Sequence, residues 1–373
     1  MGRWIYYTKK LAHRWDSETN GEPITLALDA MGGDRGAVAN LEGAMLAVAD
    51  QPNMRIKLVG RKDELEKALG KTFLPEEVEI VHAEDAFGMD EQATMALRKP
   101  NCSIMKSVDL LLEKEAQGFV SMGNTGAVVA TSLVRLGRLE GVERPALMTL
   151  FPTMEGLPTV VLDIGANIDC RPEQLLTFAE MGSMYAAEVL DRKRPTVGLL
   201  SNGQEVTKGN ALVKAAHELL RDSNLNFVGN VEGGDMIHGV VDVLVADGFV
   251  GNILLKFTEA NMGFIKRIAN KGRRKNLFSM AGGVLMSGGF KKVMREFDYA
   301  EYGGAPLLGV NGNVIIGHGK STALAISNAL SLAYVMVSAR IDRKIESYMK
   351  LKRSEIANKN TGDGVEPARK DTD

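Results

Sequence analysis

Seven times along this chain, a short aliphatic or β-branched run stops at a loop of glycine and small polar residues. The loops are Asp29-Ala-Met-Gly-Gly-Asp34, Ser121-Met-Gly-Asn-Thr-Gly126, Asp163-Ile-Gly-Ala-Asn167, Ser201-Asn-Gly-Gln-Glu205, Val231-Glu-Gly-Gly-Asp235, Ala246-Asp-Gly-Phe-Val-Gly-Asn252 and Gly317-His-Gly-Lys-Ser-Thr322. Most run on into a helical pattern, which makes them strand-to-helix turns. In a parallel α/β sheet such turns gather at the carboxyl edge of the strands, where ligands bind. Glycine lets backbone N–H groups approach a ligand closely, and helix N-termini favour anions. One such loop is only a tight turn. Seven that share Asp, Asn, Ser, Thr and Lys point to a polar, anion-binding cleft.

The alternation around these loops predicts strands at Ile24–Leu28, Arg55–Val59, Val78–Val81, Gly118–Ser121, Thr196–Leu200, Asn226–Gly229 and Val241–Val245. Helices are expected near Ala37–Ala49, Asp63–Leu69, Ile104–Ala116, Thr125–Leu136, Pro172–Leu190 and Lys208–Arg221, the fifth opening with proline at a position suited to a first helical turn. Ala146–Leu150 and Thr159–Leu162 form a candidate hairpin, and Pro306–Val310 with Asn313–Ile316 another, turned at Asn311-Gly312. A long helix over about Ser321–Tyr348 closes the pattern. Residues 24–348 therefore read as one α/β/α domain, preceded by a flexible basic-aromatic extension over 1–23 and followed by a disordered tail over 349–373.

Residues 249–297 break the rhythm. Val250, Ile253, Leu254, Phe257, Phe264, Ile265 and Ile268 share a helical face, a basic cluster runs from Lys266 to Lys275, and Leu277–Met286 form an apolar tip. Phe290, Val293, Met294 and Phe297 then mark a second amphipathic helix. Such a protruding pair suits an anionic membrane surface; a dimer contact or a covered core element is the alternative.

The net charge of -2 offers no global attraction to nucleic acid, and none is expected as a partner. Cys102 and Cys170 stand far apart without metal-ligand spacing, so neither a disulfide framework nor a metal site is expected, and a reducing compartment fits. No run reaches the length of a membrane span, and no secretory leader is apparent at the N-terminus. Nucleotide fingerprints fail: Gly319-Lys320-Ser321 resembles the end of a phosphate-binding loop, but Val314 stands where its leading glycine belongs. There is no HExxH and no GxSxG elbow. What remains is a cleft of amide, hydroxyl and backbone donors with a few Asp and Lys. That inventory suits holding an oxyanion against a carbonyl, and phosphate is itself a competent nucleophile.

The strings Asp29–Asp34, Ser121–Gly126, Asp163–Asn167, Asp247–Asn252 and Gly303-Gly-Ala-Pro-Leu-Leu-Gly309, in this order between about Ile24 and Arg343, resemble the acyl-acyl carrier protein:phosphate acyltransferases of bacterial phospholipid synthesis. The resemblance implies a fold like that of phosphotransacetylases and isocitrate/isopropylmalate dehydrogenases. It also implies conversion of a long-chain acyl-acyl carrier protein and inorganic phosphate into acyl phosphate, with no cofactor. A membrane glycerol-3-phosphate acyltransferase would take the product, from a homodimer lying peripherally on the inner face of the cell membrane. Some relatives carry Cys where this chain has Ala246, which argues against an obligatory thiol there and for direct attack by phosphate. A phosphotransacetylase acting on a short acyl-CoA is the enzymatic alternative, and a membrane-bound scaffold of lipid synthesis the non-enzymatic one. By residue type and loop position, the candidates for catalysis are Lys208, Asn252 and His318. Those for substrate binding are Asp29, Gly32, Gly33, Asp34, Gly123, Asn124, Thr125, Asp163, Asn167, Asn202, Asp247 and Lys256, with Lys208 and the Asn124-Thr125 pair on phosphate.

Overall fold

A computed structural model describes residues 22–155, 157–272 and 303–362. The extension before residue 22, the basic cluster from Arg273, the apolar tip, the second amphipathic helix and the last eleven residues lie outside the described residues.

The apolar runs become eleven strands: β1 Ile24–Asp29, β2 Met54–Gly60, β3 Val78–His82, β4 Gly118–Ser121, β5 Ala146–Phe151, β6 Thr159–Leu162, β7 Thr196–Leu200, β8 Asn226–Val231, β9 Val243–Val245, β10 Ala305–Leu308 and β11 Asn313–Ile316. They form one sheet in the order β3-β2-β1-β4-β11-β10-β5-β6-β9-β7-β8. Side chains alternate across it, as the two-residue period of a strand requires. Along β5, Ala146, Met148 and Leu150 enter one apolar layer while Leu147 and Phe151 enter the other. The first layer is covered by α1 Gly36–Asp50, α2 Lys62–Leu69, α5 Pro172–Glu188, α6 Ala211–Arg221, α9 Ala323–Ser338 and α10 Ile341–Gly362. Against the second lie α3 Ser103–Leu112, α4 Thr125–Arg135, α7 Gly233–His238 and α8 Gly248–Gly272. The α/β/α expectation holds.

The expectation that all seven loops share one edge does not. β10 runs antiparallel to β11 and to β5, and β5 antiparallel to β6, so direction reverses at the centre of the sheet. β1, β2, β3, β4 and β11 point one way; β6, β9, β7 and β8, parallel to one another, point the other. The loops after β1, β4 and β11 therefore lie at one edge, and those after β6, β7, β8 and β9 at the opposite one. Both predicted hairpins form.

The single closing helix is two, bent by 45° at Ala339-Arg340, where Arg340 takes φ 50°. α9 is apolar on almost all sides and buried, whereas α10 is amphipathic and must turn to lie along α5. There Lys344 pairs with Glu188 and Lys352 with the buried Glu180. α10 runs on to Gly362, through the first part of what composition assigned to a disordered tail. Among the described residues, no single helix is long and apolar enough to cross a membrane.

Candidate active site

α4 follows β4 and α8 follows β9, so they start at opposite edges of the sheet yet lie on the same face. Between them is a cleft of about 1050 Å3 whose floor is β5 (Leu147, Thr149, Phe151), Ala305 of β10 and Ile316 of β11.

One end is built on the β1, β4 and β11 loops. Asp29 is buried, accepts from Ser121 Oγ at 2.7 Å and from Met31 N–H at 3.1 Å, and Ser121 Oγ accepts from Gly123 N–H at 3.0 Å. Burial raises the Asp29 pKa against these hydrogen bonds. A Cβ on Gly32 would fall 2.7 Å from both Asp29 Oδ2 and Gly123 N, which is why these loops need bare backbone. Gly33 takes φ +84°, and Asp34 N–H donates to Gly319 O at 2.7 Å, joining the first loop to the last. Thus Asp29, Gly32 and Gly33 shape the end of the cleft from beneath, while Asp34, Gly123 and Thr125 line it. Asn124, expected on phosphate, has its amide engaged elsewhere: Oδ1 caps α4 at Ala127 N–H, and Nδ2 donates to the Met89 and Glu91 carbonyls. Its place is structural. It fixes the N-terminus of α4, whose first turn at Thr125 and Gly126 opens on the cleft.

His318 lines the same end, half-buried. Lys320 N–H donates to its Nδ1 at 3.0 Å, so the neutral ring carries its proton on Nε2 and offers a donor, not a base. Burial, with Lys256 and Lys320 nearby, lowers its pKa against the pull of Glu259, which favours that neutral form.

The α8 wall rests on Asp163. This buried carboxylate accepts from Leu147 N, Gly165 N, Ala166 N, Asn167 N and Asn167 Nδ2 at 2.7–3.1 Å. Asn167 Nδ2 also donates to Pro145 O. The Asp163 carboxylate and the Asn167 Nδ2 amide are therefore engaged in holding the loop that supplies Ile164, Gly165 and Ala166 to the cleft. Asp247 caps α8 at Val250 N–H. Gly248 and Gly251 let the first turns of α8 lie directly on the Asp163 loop, where a Cβ would meet Asn167 O at 2.4 Å and Asp163 O at 1.9 Å respectively. That docking brings Asn252 and Lys256 into the cleft; Lys256 is ion-paired with Glu259 at 2.9 Å.

Lys208 and Asn202 lie elsewhere, on the β7–α6 loop outside the cleft lining, where Asn202 Oδ1 accepts from Gly209 N–H. Between β4 and β7 are six strand spacings, about 29 Å. Lys208 and the Asn124-Thr125 pair thus do not share one phosphate, contrary to the expectation from loop composition. Burial pushes the Cys170 thiol up to about 11 and also raises that of Cys102, which disfavours the thiolate in both.

Loop composition did not reveal the apolar stretch of the cleft, formed by Val129, Ala130 and Leu133 of α4 with Leu147, Ile164 and Leu255. Its sequence signal is the spacing of Thr125, Val129 and Leu133 on one helical face.

Residues 24–344 match the family model described as "Fatty acid synthesis protein". The phosphate acyltransferase of a Nitratiruptor species is 46% identical over 323 residues, which span 87% of this chain and 97% of that protein. The phosphate acyltransferase of a Nostoc species is 43% identical over 334 residues, spanning 89% and 98%. Among solved structures, a phosphotransacetylase from Streptococcus pyogenes superposes with a TM-score of 0.59 at 15% identity, covering 89% of this chain and 98% of that one. The EutD phosphotransacetylase from Staphylococcus aureus gives 0.57 at 13%, covering 90% and 99%. At these identities the structural likeness speaks for the fold alone.

Proposed function

Because this chain belongs to the phosphate acyltransferase family, enzymes that transfer acyl groups to phosphate, we propose that it takes a long-chain acyl group from acyl carrier protein and releases acyl phosphate. The observation that carries this reading is the cleft itself, polar at one end and apolar along α4 and β5. The α4 wall from Thr125 to Leu133 rises about 12 Å. An acetyl group would leave that wall uncovered; an extended acyl chain covers it.

In the proposed reaction, a phosphate oxygen attacks the thioester carbonyl carbon. The tetrahedral oxyanion collapses, the C–S bond breaks, and the thiolate leaves with the proton given up by phosphate. No acyl-enzyme forms. The first-turn amides of α4, the Nε2–H of His318 and the Lys256 ammonium are the donors assigned to phosphate and oxyanion. Asn252 orients the thioester from the α8 side. Asp29, Asp163, Asn124, Asn167 and Asp247 position these groups.

The same reading takes in an anionic membrane surface, a homodimer, and a membrane glycerol-3-phosphate acyltransferase as the consumer of the product. The outward apolar face of α8 supports it, with Phe249, Phe257 and Phe264 each more than half exposed.

The experiment is hydroxamate trapping of acyl phosphate from palmitoyl-acyl carrier protein or acetyl-CoA, with phosphate varied. Product from the carrier substrate supports the reading; product from acetyl-CoA alone overturns it. Lys256→Ala should raise the phosphate requirement about tenfold, the usual loss for one charged hydrogen bond. If Lys208→Ala does so instead, phosphate binds at the β7 edge.

A further inference from the structure

A carboxylate stands among the donors assigned to phosphate, where an anion site has no evident use for one. Asn252, Leu255, Lys256, Glu259 and Met262 follow one another at helical spacing, so one face of α8 lines the cleft. Glu259 lies one turn beyond Lys256. Its side chain is 25% exposed against 59% for Lys256, so the acid is the more enclosed member of the pair. Lys256 Nζ engages Oε2 at 2.9 Å, which leaves Oε1 as an acceptor. His318 reaches the same place from the other half of the sheet. Burial lowers its pKa most, and it also feels both charges of the pair: Glu259 raises the value and Lys256 lowers it. Glu259 thus lies where the donors of α8 and of the β11 loop converge.

A fixed negative charge there opposes any anion that cannot offer it a proton. Phosphate and sulfate are alike in size and shape, so donors alone separate them poorly. They differ in protonation: at neutral pH phosphate still carries a proton and sulfate carries none. An ionised carboxylate only accepts. Phosphate can therefore meet Lys256 with one oxygen and give the hydroxyl of another to Glu259, a charge-assisted bond. Sulfate has to set lone pairs against the carboxylate, and both lose water without gaining a bond. We infer that Glu259 is the specificity-determining residue that makes this a phosphate site and excludes oxyanions without a proton. This rests on the placement of phosphate at Lys256 and His318 proposed above, and adds the means of discrimination. A carboxylate that only steadied Lys256 would act on every oxyanion alike.

The test compares KM for phosphate with the inhibition constant of sulfate, at constant ionic strength, in the hydroxamate assay. The native enzyme takes phosphate in clear preference to sulfate. In Glu259→Gln the side chain keeps its shape and can donate as well as accept, so sulfate is no longer refused. The ratio of the sulfate constant to the phosphate constant falls at least about tenfold, the usual worth of one charged hydrogen bond. Glu259→Ala, which removes the carboxylate altogether, moves the ratio in the same direction. A kcat at saturating phosphate within a few-fold of native shows that the variants are folded. A native enzyme that binds sulfate as well as phosphate overturns the inference. So do variants in which both constants shift together, because Glu259 then only holds Lys256. A ratio that moves in Asp34→Asn instead overturns it too, and gives the role to the other acidic residue of the lining. If Lys256→Ala leaves the phosphate requirement unchanged, the placement of phosphate fails first and this inference with it.

Discussion

Gly251→Ala tests the docking of α8, on which the second wall of the cleft depends. Gly251 lies in a helix at ordinary dihedrals, so alanine suits the backbone and would normally stabilise it. The obstacle is tertiary: the new Cβ would stand 1.9 Å from Asp163 O, about 1.5 Å inside ordinary van der Waals contact. The atom it meets is backbone, and the side chain of the same residue is held by five donors, so the loop has little freedom to yield. α8 must therefore move outward by more than 1 Å at its first turns. Overpacking of this kind costs about 1–3 kcal/mol of stability. Because Asn252 and Lys256 ride on those turns, a shift of this size lowers kcat/KM about 100-fold. The assay is phosphate-dependent hydroxamate formation, paired with denaturant unfolding. Gly263→Ala is the internal comparison: it lies in the same helix with open space around its Cβ position, and should gain up to about 1 kcal/mol. A Gly251→Ala protein as stable and as active as the native one would refute this account of α8.

Asp163→Asn places an amide against groups that are all donors, losing the two bonds at one carboxylate oxygen. A loss of about 3–5 kcal/mol in urea unfolding is expected, and a loss below about 1 kcal/mol would show that the carboxylate is not the anchor of the loop. His318 adds a pH dependence. Its folded pKa lies below the ordinary 6.5, so in the window between the two values the unfolded chain binds more protons, and stability falls as pH drops through it. Unfolding midpoints measured across that window should lose this slope in His318→Asn; an unchanged slope would assign it to another group. Replacing Cys102 and Cys170 together by Ser should leave turnover within a few-fold, and isolation of an acylated protein competent to acylate phosphate would overturn direct attack.

Much of the scaffold was legible in the sequence because it is local. Runs such as Ile24–Asp29 and Thr196–Leu200 carry their own strand signal, and Asn311-Gly312 marks its own hairpin. The loops that bring Asp34, Gly123, Thr125 and His318 to the border of one cleft carry their own glycine signal, because such loops must be bare where backbones meet. The consequence of the β5–β6 hairpin was not drawn from the pattern: β10 is antiparallel to both β11 and β5, so β5 stays parallel to β4, and the turn into β6 reverses the strands of the far half. That reversal put Lys208 and Thr125 at opposite edges, and the entry of β10 and β11 from more than 150 positions away moved them further apart. The role of Asn124 was hidden for a similar reason, since its partners Met89 and Glu91 belong to a distant loop. The two-helix end escaped a pattern reading because apolar periodicity continues across Ala339-Arg340 while the backbone turns.

The placement of β10 and β11 also sets an order of assembly. β4 is complete at Ser121, but its inner neighbour begins only at Asn313, so nearly two hundred residues leave the ribosome before that edge is paired. At about 5–20 residues per second, the rims of β4 and β5 wait unpaired for roughly 10–40 s, as two half-sheets with unfilled ladders. Open rims of this kind recruit wrong partners. A nascent chain halted before residue 305 holds both halves of the sheet and lacks the hairpin that joins them.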